Sequence, residues 1–486
     1  MRAARFENAN VLTLDPRKPV VDGLLAQDGM IQAEGPADRV VDLGGATVVP
    51  GFVDNHCHLL AMATWNASVD CGPARAGSID RLVATLSEAE SYGNADWLFG
   101  VGYDDLLIAE ERHPTAVDLD RVAADRPILL THNSGHAHVV NTTGLTLLGI
   151  TASSAEPPGG TIDRIADTGE PSGLLLEMGE YIADRLPRST ESDQTTAVAT
   201  SLQQLASVGV TSATDAGHRN DVARLAVLEA AASGPVVPRL RAMVAPGIDR
   251  GGLEGDAVLL ADHTKVMLTL SGGRLSHGFD ELHDLAATEH SIGATGIAIH
   301  AVESEAVEFA ARLTSTLGDE IPGFSVRIEH ASEAPADAIS AVVRSGATVV
   351  TQPGFIWSRG DRYVAAGTPT DALYPLRDWL ASQVPLAYGS DAPYGSVSPV
   401  MAIQAAVTRC SSSGQVVGGV QAIDVLDGLR LVTREADGTQ HKLLPGEPAD
   451  FVVLSEDPNK TEPDRIGEIQ VMATYVAGRK IWPVDD

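Results

Sequence analysis

The stretch Val48-Val49-Pro50-Gly51-Phe52-Val53-Asp54-Asn55-His56-Cys57-His58 decides how this chain is read. Its first seven residues form an apolar, strand-like run. Side chains at i and i+2 of a strand share a face, so His56 and His58 can converge on one ion. Cys57 between them is sent to the opposite face, where a buried, inert thiol is expected rather than a ligand. Neutral imidazole suits zinc and similar metals. The pair alone also fits two polar residues in a loop after a strand, so the rest of the chain has to decide.

Working outward, seven more strand-like runs follow: Val210–Asp215, Pro238–Val244, Thr264–Leu270, Gly296–His300, Ser325–His330, Ala347–Gln352 and Pro385–Asp391. With Val48–Asp54 they make eight, the number a TIM barrel needs. Helical stretches such as Val222–Ser233, Glu303–Leu317 and Ala334–Ser345 lie between them, the alternation of an α/β fold. One further run, Pro127–Thr131, is placed in an insertion. Both ends of the chain read as short β-segments, Asn10–Leu14 and Gly23–Ala26 at one end, Asp450–Leu454 and Val471–Gly478 at the other. The expected architecture is a (β/α)8 TIM barrel with a small β-sandwich domain formed by both termini. The sandwich takes residues 1–49 and 436–486. The metal-binding barrel takes 50–435, with its insertion at about 60–205.

Bulk properties exclude several classes. A formal net charge of −31 argues against nucleic acid or an anionic membrane as partner. No apolar run of about 18 residues suggests a membrane span, and the N-terminus lacks a stretch of signal-peptide character. Cys57, Cys71 and Cys410 are too few and too scattered for a disulfide framework, so a cytoplasmic location is expected. A homodimer stays open.

In a TIM barrel the reactive groups sit at the C-terminal ends of strands. Here those ends carry His56, His58, Asp215, Lys265, His300, His330 and Asp391. The chain resembles the amidohydrolase superfamily, in particular the family-3 branch that includes N-substituted formamide deformylase-like enzymes. The resemblance rests on Pro50–His58, Ile299-His300-Ala301, Arg327-Ile328-Glu329-His330-Ala331 and Gly389-Ser390-Asp391-Ala392-Pro393. It extends to Pro445–Leu454, similar to the family's return into the small β-domain. It implies that His56 and His58 bind a first metal with Asp391, and His300 and His330 a second. Lys265 stands where many members carry a carboxylated lysine bridging two metals. An amphipathic strand-edge lysine is its alternative. The implied cofactor is a divalent metal, zinc first, one ion or two, with Lys265 carbamylated.

The implied chemistry is hydrolysis of a carbon–nitrogen bond other than a peptide bond. The metal brings the pKa of water from 15.7 down to about 7. Asp391 serves as general base and passes the proton to the leaving amine. The catalytic set is Asp391, His330 and His136, and the partner is a small amide-type molecule. His136 lies in His132-Asn133-Ser134-Gly135-His136-Ala137-His138, similar to a Gly-His-Ala segment of the family, and is expected to contact the substrate or its oxyanion, with a solvent-facing loop as the alternative. Tyr103 is a second donor candidate, with interior packing as the alternative. Gln352 and Tyr394 are expected at the pocket, with Trp357 and Phe355 on an apolar side. Asp215 either orients a ligand or caps a helix.

The chain departs from the family pattern at Leu270-Ser271-Gly272-Gly273, at Val302-Glu303 and in the irregular Thr433–His441. All three positions build the pocket rim, so they bear on substrate more than on chemistry. Ester or lactone hydrolysis by the same parts, isomerisation or decarboxylation on the same scaffold, and a silent binding protein are the competing readings. Retention of Asp391 and all four histidines disfavours the last.

Overall fold

The computed structural model describes residues 3–90, 96–187, 189–234, 237–250, 259–260 and 263–484. The chain divides into two compact units, one of Met1–Leu60 with Gln194–Asp486, the other of Ala61–Asp193.

The first unit is α/β and TIM-barrel-like. Eight parallel strands carry it: β1 Phe52–Cys57, β2 Val210–Asp215, β3 Arg239–Ala242, β4 His263–Met267, β5 Gly296–Ala301, β6 Ser325–His330, β7 Thr348–Thr351 and β8 Leu386–Tyr388. Every residue of β1 and β2 is buried, the signature of parallel strands covered on both faces. The strands do not form the one closed ladder expected from the count of eight. They make two sheets, one with the order β3-β2-β1 plus the short strand Leu259–Leu260, the other running β4 to β8. The sheets approach at two places. An isolated parallel bridge joins Val244 to Thr264. At the other edge the Asp391 N–H donates to the His56 carbonyl at 2.7 Å, and the His58 N–H to the Ala392 carbonyl at 2.8 Å.

The opening stretch itself is corrected. The expected strand Val48–Asp54 is two strands. Thr47–Pro50 pairs antiparallel with Phe451–Leu454, whereas β1 begins at Phe52 and pairs with β2. The chain changes sheets at Gly51, whose N–H donates to the Asp450 carbonyl at 3.0 Å. A Cβ on Gly51 would collide with the Thr211 side chain, so no larger residue fits the crossing. The expected fourth strand is also shorter, because Leu270-Ser271 turns back onto Arg274-Leu275.

Both termini contribute the remaining sheets of this unit. One has six strands in the order Arg479–Trp482, Val471–Val476, Phe451–Leu454, Thr47–Pro50, Asn10–Leu12 and Val20–Val21. The other has four: Met30–Gln32, Leu24–Gln27, Ala4–Glu7 and Arg39–Asp42. A core of Phe6, Val11, Leu24, Ile31, Val48, Phe451, Val453 and Tyr475 draws on both. Phe6 meets Phe451 edge-on, with ring centroids 4.9 Å apart.

The second unit holds a six-stranded mixed sheet in the order Thr161–Arg164, Pro171–Leu176, Ala137–Val140, Ile128–His132, Leu98–Tyr103 and Val69–Asp70. The run read at Pro127–Thr131 is its strand Ile128–His132. Leu82, Leu86, Leu98, Leu130 and Val139 form one of its cores. Among the described residues no helix is long and apolar enough to cross a membrane.

Candidate metal centre

The centre begins with the pleat of β6. Arg327 and Glu329 alternate with Val326 and Ile328, so the two charges share one face. Both are buried, which demands partners. Arg327 Nε donates to Glu329 Oε1 at 2.8 Å, and its Nη2 donates to the Asn55 carbonyl at 2.8 Å. Glu329 Oε2 lies 2.5 Å from His56 Nδ1. Burial works to raise the Glu329 pKa, but the Arg327 guanidinium, then His56, hold it well below the usual carboxylate range. The carboxylate therefore accepts the Nδ1 proton of His56 and leaves the Nε2 lone pair free, the orientation a metal-ligating histidine needs. His56 Nε2 is buried with no hydrogen-bond partner.

The loop after β8 meets that nitrogen. Asp391 Oδ1 lies 3.0 Å from His58 Nε2 and 3.5 Å from His56 Nε2. Ligand atoms of His56, His58 and Asp391 all fall within 4.8 Å of one another. Gly389 permits this approach, because a Cβ there would stand 2.5 Å from that of His56. Ser390 ties the loop down through its Oγ, which donates to Asp54 Oδ2 at 2.6 Å. Asp391 has φ 55°, and His330 has φ 75°. Such conformations cost about 1–3 kcal/mol each and persist where surroundings enforce them. By simple alternation His330 would face away with Val326 and Ile328. Its left-handed backbone swings the ring inward, 4.5 Å from His300 and 4.9 Å from His56 between centroids.

Lys265 lies in the middle of β4 and not at its C-terminal end as expected; it is fully buried and its Nζ has no hydrogen-bond partner. It lies in register with Ala298, which lies in register with Arg327, so all three belong to one layer. Burial lowers the Lys265 ammonium to about 8, against the pull of Glu329 and Asp391. Burial likewise takes His56 down to about 3, helped by the Lys265 charge, and His330 down to about 4. Both imidazoles are thus neutral at ordinary pH, the form that ligates metals. Burial works to raise Asp391, yet the hydrogen bond to His58, in the company of the His330 and His56 rings, holds it well below its usual value. Neutral imidazoles, one with its Nε2 buried and orphaned, and an ionised carboxylate make a donor set that fits a divalent ion.

The structure brings His56, His58, His300, His330, Asp391 and Lys265 into one unit, as neighbours or in one strand layer. Tyr394 is half-buried there, its ring 5.6 Å from His58. Gln352, expected to contact substrate, is instead fully enclosed, and its Oε1 accepts the Nδ1 proton of His330 at 2.9 Å. It orients the His330 ring. Trp357 is half-buried beside Phe355, Ile356 and Tyr374. Asp215 accepts from the Leu59 N–H at 2.7 Å and from Asn220 Nδ2 at 2.7 Å, fixing the chain just past His58. Cys57 is buried, its thiol pushed up by burial and aimed at the Thr214 carbonyl. Tyr103 and His136 belong to the second unit. Tyr103 is fully buried with its hydroxyl 3.0 Å from His113 Nδ1, which favours its packing alternative. His136 is half-exposed, 2.9 Å from Glu177.

Sequence reading missed Glu329, Arg327, Asp54 and Ser390. The signal for the first two was present: two opposite charges at i and i+2 in a largely apolar parallel strand require partners beyond that strand.

The model of the amidohydrolase family matches residues 39–481. The chain is 27% identical to N-substituted formamide deformylase of Arthrobacter pascens, covering 98% of both chains. It is 25% identical to the putative amidohydrolase YtcJ of Bacillus subtilis (strain 168), covering 95% of this chain and 96% of that one. Among solved structures, an uncharacterised metal-dependent hydrolase from Pyrococcus horikoshii superposes with a TM-score of 0.74. That likeness, at 23% identity, covers 95% of this chain and 99% of the other.

Proposed function

The chain belongs to the amidohydrolase family, and we propose that it is a metal-dependent hydrolase of a carbon–nitrogen bond, other than a peptide bond, in a small amide, formamide or related compound. The observation that carries this reading is the convergence of His56, His58 and Asp391 within 4.8 Å, with His56 Nε2 buried and unpartnered. Similarity along almost the whole chain to N-substituted formamide deformylase supports the bond type. In the same reading the two parallel sheets are the arcs of one (β/α)8 barrel spanning 50–435, and residues 1–49 and 436–486 form a small β-sandwich. Cys57, Cys71 and Cys410 are free thiols, which suits a cytoplasmic enzyme.

His56, His58 and Asp391 would hold the first divalent ion, zinc first, and His300 and His330 a second. A bound ion supplies Lewis acidity, lowering the pKa of water toward 7 and polarising a carbonyl. The chain's own groups do the rest. Asp391 accepts the proton of the attacking water on a carboxylate oxygen and delivers it to the leaving nitrogen. Glu329 fixes the His56 tautomer, and Gln352 that of His330. The unpartnered Lys265 amine, its ammonium brought down to about 8, suits addition of carbon dioxide, which would turn a cation into an oxygen donor. Tyr394 and Trp357 form the pocket wall, and His136 is retained as a substrate or oxyanion contact with His330 in the catalytic set.

The test is turnover of a panel of amides, formamides and esters, with metal content measured on the same sample. Release of an amine and an acid by metal-loaded protein supports the reading. A product of unchanged composition, or no divalent metal after supplemented expression, removes it.

A further inference from the structure

In a chain with 65 acidic residues against 34 basic ones, an arginine without a carboxylate partner beside the candidate centre stands out. Arg359 lies on the helix Gly354–Ala365, which directly follows β7. It is half-buried. Its guanidinium carbon rests 3.9 Å from the centroid of the Phe355 ring, one helical turn back. Its Nη2 donates to the Tyr394 carbonyl at 3.2 Å. No carboxylate of a described residue pairs with it.

The surroundings tie this charge to the loops of the centre. Tyr394 is three residues past Asp391 and packs on His58. On the other side the Phe355 ring lies 6.1 Å from Tyr374, whose N–H donates to the Ser332 carbonyl, two residues past His330. Arg359 therefore stands among aromatics anchored to both ligand loops. The charges of Asp391 and Arg359 act in opposite senses on the same Tyr394 phenol, which burial first pushes up to about 12. A guanidinium stacked on a ring keeps its planar fork pre-organised and presents its remaining N–H donors at low entropic cost. Planar forks of this kind match carboxylates.

We propose that Arg359 binds a carboxylate carried by the substrate, so that the compound hydrolysed at this centre is an anionic amide with the acid group set off from the scissile bond by an apolar spacer against Phe355 and Tyr394. The proposal rests on the hydrolase reading for the word substrate, but the binding it describes does not require turnover.

Two measurements on metal-loaded protein test it. Turnover of 4-(formamidomethyl)benzoate is compared with that of its neutral carboxamide, in wild type and in Arg359→Gln. Binding of 4-methylbenzoate and 4-methylbenzamide is measured by calorimetry in the same proteins. The wild type is expected to prefer each acid by about tenfold or more, the worth of a hydrogen bond to a charged group. Arg359→Gln should lose that preference through KM and Kd, with kcat for the carboxamide and metal content unchanged. Equal binding of acid and amide by wild type overturns the proposal. So does a preference that survives in Arg359→Gln, which would assign the carboxylate to the metal, or an equal loss for both ligands, which would assign Arg359 to packing alone. A preference for the acid that depends on Arg359 without turnover of either compound upholds the carboxylate site and counts against the hydrolase reading instead.

Discussion

Two clusters of this chain look alike in composition and differ in how their hydrogen bonds are spent. Among the described residues, ligand atoms converge within 4.8 Å in His56, His58 and Asp391, and again in Asp104, Asp105 and His132. In the second cluster the Ser134 N–H donates to His132 Nδ1 at 3.1 Å, so the ring proton sits on Nε2 and donates to Asp105 at 3.1 Å. Asp104 is buried with both oxygens taken, by the Leu106 N–H and Asn133 Nδ2. The His132 nitrogen lone pair a metal would need is engaged, and each Asp104 oxygen already accepts a hydrogen bond. In the first cluster the proton is pulled to the far side of His56 by Glu329, and Nε2 is left facing inward with nothing to bond. Proximity of ligand types is common to both. What separates them is which face of the imidazole the neighbouring polar groups satisfy.

That contrast can be broken by mutation. The largest effect is expected at Asp391→Asn, which keeps an oxygen at the centre but cannot accept a proton. Turnover should fall by about 10²–10⁴, the usual worth of a general base, with metal retained in elemental analysis. A nearly active variant would contradict the role given to Asp391. Next comes Glu329→Gln, which replaces the charged acceptor that fixes His56 with a neutral amide. Metal affinity, measured by competition with a chelator, should drop about 10–100-fold, while unchanged affinity would show that the Glu329 contact is structural only. His132→Ala should leave metal stoichiometry unchanged and cost about 1–3 kcal/mol in denaturant unfolding, because Asp105 loses its donor. Loss of one metal equivalent would erase the distinction between the clusters. Gln352→Ala is expected to have the smallest effect on metal, since it removes a neutral hydrogen bond of about 1 kcal/mol from His330. A loss as large as that of Glu329→Gln would mean the two orienting contacts are equivalent.

Much of the site was legible because metal chemistry restricts residue types and barrel geometry restricts their places. His56, His58, His300, His330 and Asp391 all stand at strand ends, where runs of apolar residues stop. What escaped depends on long-range geometry. Pro50-Gly51 hides a change of sheet, since Val48 and Val49 are as apolar as Phe52 and Val53, and only pairing with Phe451–Leu454 or β2 tells them apart. The inward turn of His330 follows from a left-handed backbone that no side-chain pattern announces. The Glu329–His56 contact joins residues 273 positions apart, and Gln352, read at its strand end as a substrate contact, meets His330, because a strand end can serve a neighbouring side chain as readily as a substrate.

The central claim is that the barrel cluster, and not its look-alike, is the metal centre. Anomalous diffraction from crystals of zinc-loaded protein tests it most directly. The expected result is density bonded to His56 Nε2, His58 and Asp391, with none at Asp104, Asp105 and His132. An ion at the second cluster with the first one bare would contradict the account.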